Sequence, residues 1–149
     1  MSEYPPIVPY LSVSDADAAL DFYRRAFGAQ EKLRVPGKDR KIMHAEVVIG
    51  RGLVMLTDSA PDLGFAAPAP AASVPVGIMV QWPEAADIDR LHDQAVAAGG
   101  TSETAPRDEP WGARYAAVRD PFGHRWWLFA MLPAQQGETS HLQTLGQGP

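Results

Sequence analysis

The sequence predicts an α+β fold in which a strand–helix–strand–strand unit occurs twice. Short apolar, strand-like stretches flank one amphipathic helical pattern in each half of the chain. The same signals recur at a fixed spacing: the helix starts at Asp15 and Asp87 lie 72 residues apart, and the glycine stops at Gly28 and Gly99 lie 71 apart. One unit alone would leave a face of its sheet uncovered, so the two units are expected to pair.

The first unit opens with the apolar stretch IVPYLSV, which is typical of a strand. Ser14 is predicted to cap the following helix, with Asp17 three residues later completing a variant capping box. Gly28 is predicted to end this helix in a left-handed conformation. The charged stretch RVPGKDRK is interpreted as a loop, and IMHAEVVIG and LVMLTD as strands. The core-facing side of the helix consists of Ala16, Ala19, Leu20, Tyr23 and Phe27.

The second unit repeats this order from VPVGIMVQW onwards. Asp87 is predicted to cap its helix, and Gly99 and Gly100 are predicted to end it. A polar loop is expected before the strand ARYAAVR, and the turn DPFG (residues 120–123) then leads into an aromatic strand, HRWWLF. The apolar face of this helix consists of Ile88, Leu91, Ala95 and Ala98.

These signals divide the chain into four segments that together form one domain. Residues 1–57 are predicted to form the first module, and residues 58–75 an Ala- and Pro-rich linker. Residues 76–132 are predicted to form the second module, and residues 133–149 a polar tail. A chain of 149 residues is long enough for one ordinary domain of this kind.

Composition narrows the classes of function. The absence of cysteine excludes disulfides and thiolate chemistry, and it suits a cytoplasmic location. A net charge of −5 with scattered Lys and Arg argues against a nucleic-acid partner. No apolar run is long enough to span a membrane, and the N-terminus lacks the pattern of a secretory signal. The expected partner is therefore a small molecule.

The motifs DADAALDFYRRAFGA and DPFGHRWWLF resemble the vicinal oxygen chelate superfamily of glyoxalases, bleomycin-resistance proteins and extradiol dioxygenases. The stretches MHAEVVIG, LVMLTD and WGARYAAVRDPFGHRWWLF are most similar in style to its PhnB-like branch. The resemblance covers roughly residues 5–132. It implies two tandem βαβββ modules whose curled mixed sheets form a cleft, usually in a homodimer. It does not fix the reaction, because function depends on the site.

Metal-dependent members of that superfamily hold a divalent ion with His or Gln from the first strand of a module and Glu from the last. The resemblance places these four positions at Val8, Met55, Gly77 and Trp127. None of these side chains suits a hard divalent ion. A one-residue shift of the alignment brings no His, Asp or Glu into IVPYLSV. We therefore expect the usual metal site to be absent, with no cofactor.

The aromatic run around Trp127 is the first candidate site. If Trp127 faces the cleft, strand alternation places Arg125 and Phe129 on the same face and turns Trp126 the other way. An aromatic wall with one arginine suits a flat or partly anionic small molecule. The alternative is that the tryptophans simply pack as core and that Arg125 neutralises an acid.

His44 and Glu46 form the second candidate, because residues two apart on a strand share a face. A histidine beside a carboxylate can act as a general base, and the pair can also offer two ligands to a metal bound in an unusual way. The alternative is an ordinary His–Glu hydrogen bond at a surface or an interface.

The loop PRDEPWGARY is the third candidate, since a glycine beside an aromatic residue suits a movable lid over the cleft. The alternative is a rigid surface loop anchored by Trp111. His44 and Glu46 are the candidate catalytic residues. The candidate ligand-binding residues are Tyr10, Met55, Trp82, Trp111, Arg114, Tyr115, Arg125, Trp127 and Phe129.

Three functions are compatible with these candidates. The favoured one is a metal-independent homodimer that binds an aromatic or planar small molecule, in the way that bleomycin-resistance proteins sequester their ligand. The second is an enzyme of the lyase, isomerase or dioxygenase type that uses an atypical metal or the His44/Glu46 pair. The third is an auxiliary domain with a vestigial cleft.

Overall fold

The computed structural model describes residues 4–69 and 71–133, which form two four-stranded mixed sheets and two long helices. The predicted α+β fold of two tandem βαβββ modules is confirmed. The first module consists of β1 (Tyr10–Val13), α1 (Ala16–Phe27), β2 (Gln30–Pro36), β3 (Ile42–Ile49) and β4 (Gly52–Asp58). The second module consists of β5 (Ile78–Gln81), α2 (Ala85–Ala97), β6 (Thr101–Glu109), β7 (Ala113–Arg119) and β8 (Arg125–Met131).

The two sheets have the same topology. The strand order is β1-β4-β3-β2 in the first sheet and β5-β8-β7-β6 in the second. In each sheet the first strand of the module runs parallel to the last, and the other neighbours are antiparallel. The registers also correspond, because Tyr10 lies opposite Met55 in one sheet and Met79 lies opposite Trp127 in the other.

Helix α1 uses a different N-cap from the one the sequence suggests. The cap is Asp15, whose carboxylate accepts a hydrogen bond from the amide of Ala18 at 3.0 Å, so the prediction of Ser14 is wrong. A carboxylate at this position also interacts favourably with the helix dipole. The C-terminus agrees with the prediction, since Gly28 adopts a left-handed conformation with φ of 66°. The predicted core-facing side is buried: Ala16, Ala19, Leu20, Tyr23 and Phe27.

Helix α2 begins earlier than predicted. Its N-cap is Glu84, and Asp87 occupies the third helical position of a capping box. The Asp87 carboxylate accepts a hydrogen bond from the Glu84 amide at 3.1 Å, so the prediction of Asp87 as the cap is wrong. Asp87 instead contributes the hydrogen bond of the capping box that its side chain accepts from the N-cap amide. The helix ends at Ala97, just before the two predicted glycines.

Two strands occur where the sequence suggests loops. Strand β2 overlaps the charged stretch RVPGKDRK, and β6 occupies the region expected to be a polar loop. Both lie at the edge of their sheet, both have irregular register, and most of their residues are exposed. A strand without a buried face shows no apolar alternation, and exposed edge strands tend to carry charged residues.

The two modules share a core through α1. Trp126 is fully buried, and its ring lies 5.1 Å from the ring of Tyr23 and 5.0 Å from that of Phe27. The Tyr23 hydroxyl donates a hydrogen bond of 2.6 Å to Asp120. Asp120 also accepts from the Trp126 indole at 2.9 Å and from two backbone amides of its own turn, both at 2.9 Å. The turn that precedes β8 therefore anchors the helix of the other module.

The segment between β4 and β5 contains a short 3-10 helix at Pro61–Leu63. It also packs against the turn before β8, since a methyl group at Gly123 would lie 3.1 Å from the Ala69 carbonyl oxygen and 3.1 Å from the Pro68 ring. Almost all of the predicted polar tail, residues 134–149, lies outside the described residues. Among the residues that are described, no helix combines the length and apolar character needed to cross a membrane.

Candidate functional site

Strand β8 separates its aromatic side chains between two environments. Trp126 and Leu128 are fully buried on the helix side of the sheet. Arg125, Trp127 and Phe129 alternate with them on the opposite face, where each is only partly buried. The alternation predicted around Trp127 is therefore confirmed. We call the side of the second sheet that carries Trp111, Tyr115, Arg125, Trp127 and Phe129 the aromatic face.

The indole of Trp127 lies directly across Gly77. A methyl group added at Gly77 would overlap three carbons of the six-membered indole ring at less than van der Waals distance. Only a residue without a side chain leaves room for this arrangement in a close-packed site. Gly77 and Trp127 are thus a matched pair, in which the absence of one side chain makes space for the other.

The register shows that the four positions at which metal ligands are expected correspond between the two modules. Gly77 lies two residues before Met79, the strand partner of Trp127. Val8 likewise lies two residues before the strand partner of Met55 in the first module. The aliphatic, thioether and indole side chains at these positions offer no oxygen or imidazole donor, so the residues present do not fit a hard divalent ion.

Arg125 forms an ion pair at the edge of the aromatic face. Its guanidinium donates two hydrogen bonds to the carboxylate of Glu103 on β6, at 2.8 and 3.0 Å. These bonds, together with those from Arg119, lower the pKa of Glu103 to about 2 although partial burial opposes the shift. The Arg125 guanidinium carbon also lies 5.9 Å from the centre of the Trp127 ring. The sequence alone did not identify an acidic partner for Arg125, and the structure shows that this partner is Glu103.

This ion pair makes the stability of the protein depend on pH, and the lowered pKa of Glu103 gives the direction. Because the pKa of Glu103 falls from 4.5 to about 2 on folding, its contribution to stability is complete above about pH 4.5 and is lost as the pH falls toward 2. Glu103→Gln is expected to lower the free energy of unfolding at pH 7 by about 1 kcal/mol, since solvent weakens the pair. Urea unfolding at pH 7, 4 and 2.5 measures this.

The control for that experiment is Asp62→Asn on the exposed 3-10 helix. Between pH 4.5 and 2 the stability of Glu103→Gln should decline less steeply than that of the wild type, while Asp62→Asn should follow the wild-type curve. Equal slopes for Glu103→Gln and the wild type would show that the ion pair contributes nothing.

The stretch PRDEPWGARY forms a tight hairpin. Strand β6 continues to Glu109 and β7 begins at Ala113, so the predicted long loop is wrong and only residues 110–112 form the turn. Trp111 in this turn is 52% exposed, and its ring lies 6.2 Å from that of Phe129. Tyr115 lies opposite Phe129 on the neighbouring strand. Trp111 and Tyr115 therefore lie next to Phe129, and the movable lid stays a prediction.

The first sheet carries a hydrogen-bonded chain of three side chains. The hydroxyl of Tyr10 on β1 lies 2.8 Å from Nδ1 of His44 on β3. Nε2 of the same histidine lies 3.0 Å from Oε1 of Glu46. The prediction that His44 and Glu46 share a face is confirmed, and Tyr10 joins them from another strand. Met55 lies on this face too, as the strand partner of both Tyr10 and Glu46.

The carboxylate of Glu46 is the buried end of this chain. Glu46 is 3% exposed, and its Oε1 also accepts a hydrogen bond from the Tyr4 hydroxyl at 3.2 Å. The hydrogen bond from His44 lowers the pKa of Glu46 despite desolvation, so the group is ionised at neutral pH. Its other oxygen, Oε2, is buried and has no hydrogen-bond partner among the residues that the structure describes.

A cleft of about 380 Å³ lies between the two modules. Tyr10 and Leu11 line it from the first module, and His124 and Arg125 line it from the second. The remaining lining is apolar and comes mainly from the connecting segment: Ala66, Pro68, Val74, Pro75, Val76 and Ile78. We call this space the junction cleft. Tyr10, at the exposed end of the hydrogen-bonded chain, and Arg125 therefore both line this cleft.

Two of the predicted site residues face the other way. Arg114 turns toward α2, where it forms hydrogen bonds of 2.6 and 2.7 Å with Asp89 and one of 3.0 Å with Asp108. Trp82 packs against the buried core, beside the Gly50 turn of the first module. Both side chains pack on the helix side of the second sheet, so we remove them from the candidate site.

Sequence reasoning missed three residues of this region. Phe65 stacks on Tyr10 with ring centres 6.1 Å apart, but it lies in a stretch without periodicity. Tyr4 and Glu103 reach the site from segments with no recognisable motif. For Phe65 the only signal in the sequence was an isolated aromatic residue within an Ala- and Pro-rich segment. Such a residue indicates burial or a contact, but it does not indicate the contacting partner.

The comparisons with known proteins agree with this architecture. Residues 6–128 match the sequence model of the Glyoxalase/Bleomycin resistance protein/Dioxygenase superfamily. An uncharacterized protein of Mycobacterium bovis is 42% identical over 127 residues, which covers 83% of this chain and 82% of that protein. TioX from Micromonospora sp. ML1 is 28% identical, with a TM-score of 0.64 and coverage of 85% and 95% of the two chains. A PhnB protein from Bacillus cereus, at 16% identity and a TM-score of 0.65 over 85% and 99% of the chains, shares the fold.

Proposed function

The chain belongs to the Glyoxalase/Bleomycin resistance protein/Dioxygenase superfamily, and we propose that it binds an aromatic or planar small molecule without a metal ion. The observation that carries this proposal is the indole of Trp127 lying across Gly77. At two positions where metal-dependent relatives are expected to hold donors, this chain has a large aromatic surface and the glycine that accommodates it. Such a surface recognises a flat ligand by stacking.

The junction cleft supports the same proposal. Its volume of about 380 Å³ is within the usual range for small-molecule sites, and its walls are mostly apolar. Arg125 provides a cation at one side, held in position by Glu103. A fixed guanidinium next to an aromatic ring suits a planar ligand with a partial or full negative charge.

An enzyme is the second candidate function, and the hydrogen-bonded pair of His44 and Glu46 favours it. A histidine oriented by a buried carboxylate can act as a general base. Turnover, rather than binding alone, would distinguish this candidate from the first. The cytoplasmic location and the homodimer remain predictions that accompany both candidates.

A thermal-shift screen of chelator-treated protein tests the proposed function. The panel contains planar aromatic acids, phenols and fused-ring amines, with saturated-ring analogues of equal size as controls. A ligand at a hundredfold excess over its Kd stabilises the protein by about 2.7 kcal/mol, which raises Tm by roughly 5–10 °C. We expect flat compounds to raise Tm and their saturated analogues to leave it unchanged. If no planar compound raises Tm, or if both sets do so equally, the proposal is wrong.

A further inference from the structure

The chain of Tyr10, His44 and Glu46 links a buried carboxylate to the wall of the junction cleft. Exposure increases along it, from 3% for Glu46 to 45% for Tyr10. Glu46 Oε1 lies 3.0 Å from Nε2 of His44, and Nδ1 of His44 lies 2.8 Å from Tyr10 Oη. Both distances are those of hydrogen bonds. A carboxylate that orients an imidazole, which in turn contacts a hydroxyl, is the arrangement that activates hydroxyl groups in hydrolases.

We propose that this chain is a proton relay, and that Tyr10 Oη binds the acidic hydroxyl of a phenol or enol in the junction cleft. The inference rests on the proposed function, because it requires the cleft to hold a small molecule. It goes further in naming the ligand class and the atom that recognises it. Neither the aromatic face nor Arg125 alone would distinguish a hydroxyl from other polar groups.

The proton balance needs no other reactant. The ligand O–H proton moves to Tyr10 Oη while the Tyr10 proton moves to Nδ1 of His44. The resulting imidazolium donates through Nε2 to the ionised Glu46. The ligand is then bound as an oxyanion, with the Arg125 guanidinium in the same cleft. Return of the proton along the same path releases the neutral ligand.

The resting charges are compatible with this relay. Desolvation and the nearby charge of Glu46 raise the pKa of Tyr10, so the phenol is protonated and can donate to His44. The orphaned Oε2 of Glu46 leaves the carboxylate with unused acceptor capacity. Nε2 of His44 lies 3.0 Å from this carboxylate, so the ring can donate to it while Nδ1 receives the Tyr10 proton.

The neighbouring strands add few competing charges. Strand β2 places Val35 opposite His44, and its Lys32 lies over the Tyr4 ring at 5.1 Å. Strand β4 places Met55 opposite Glu46. On the cleft side the ionisable groups are His124 and Arg125. The His124 ring is engaged with the Ser12 carbonyl oxygen at 2.9 Å, and the Arg125 guanidinium is the permanent charge to control for.

Spectrophotometric titration with p-nitrophenol tests the relay, because only its phenolate is yellow. We expect the ionisation constant of the bound probe to be at least about tenfold larger than that of the free probe, a shift of one pKa unit. The NMR signals of the His44 ring should move toward the imidazolium position as the probe binds. Tyr10→Phe and His44→Gln should each abolish the increase, and Tyr10→Phe retains the ring that packs on Phe65.

Arg125→Gln is the control for simple electrostatic attraction, and thermal melting confirms that each variant folds. If the bound probe ionises as readily in Tyr10→Phe as in the wild type, or if it binds without ionising, the relay is wrong while the proposed binding function stands. If the probe does not bind saturably to the wild type, the relay is also wrong. The binding function then fails only if the whole planar panel also leaves Tm unchanged.

Discussion

Asp120→Ala is expected to destabilise the protein by about 3–5 kcal/mol, a large part of the total for a domain of this size. The buried carboxylate of Asp120 accepts four hydrogen bonds. One comes from Tyr23 of the other module, at 2.6 Å, and one from the buried indole of Trp126. Removing the acceptor leaves these donors unsatisfied in the shared core, and each unsatisfied donor costs about 1–3 kcal/mol.

Urea unfolding followed by tryptophan fluorescence measures this loss. Tyr23→Phe removes one donor and should cost only about 1–2 kcal/mol. The matched control is Asp108→Ala, which breaks an exposed ion pair with Arg114 and should cost less than about 1 kcal/mol. A loss below 1 kcal/mol for Asp120→Ala would mean that the turn does not hold the two modules together.

Changes at the Gly77–Trp127 pair are expected to have the largest effect on ligand binding. Trp127→Ala should weaken the binding of planar panel compounds by at least about tenfold, or 1.4 kcal/mol, because the stacking surface is lost. Gly77→Ala should weaken it as well, since its methyl group displaces the indole from its position. Trp127→Phe should retain part of the affinity. Titrations monitored by isothermal calorimetry measure all three variants.

Gly52→Ala provides the matched control for the glycine substitution. Its added methyl group would meet only the carbonyl oxygen of Ile49, at an ordinary distance of 3.5 Å. It should therefore leave the affinity unchanged. Unaltered affinity in Trp127→Ala, with the protein still folded, would place the ligand away from the aromatic face.

Much of the fold could be predicted because its buried segments repeat. The faces of α1 and the alternation of β8 depend on local periodicity, and both agree with the structure. Strands β2 and β6 were missed because exposed edge strands have no apolar pattern. The caps were misplaced because more than one side chain near each helix start can accept the same amide bonds: Ser14 or Asp15 for α1, and Glu84 or Asp87 for α2.

The candidate site was only partly predictable, because it depends on pairing between distant segments. Residue spacing placed His44 and Glu46 on one face, but their contact with Tyr10 is set by the register of three strands. In the same way, no pattern within β8 indicates that Trp127 lies over Gly77, since α2, β6 and β7 separate the two residues in the chain. Arg114 was predicted to bind ligand from a loop, and nothing in that loop indicates its pairing with Asp89 on a helix.

Calorimetric titration of the metal-free protein with Mn²⁺, Fe²⁺ and Zn²⁺, each with and without a stabilising planar compound, tests the central claim most directly. We expect the planar compound to bind equally well in the presence and absence of each ion. A one-to-one ion site of micromolar affinity, without which the compound no longer binds, would contradict the claim that the planar compound binds at the aromatic face without a metal ion.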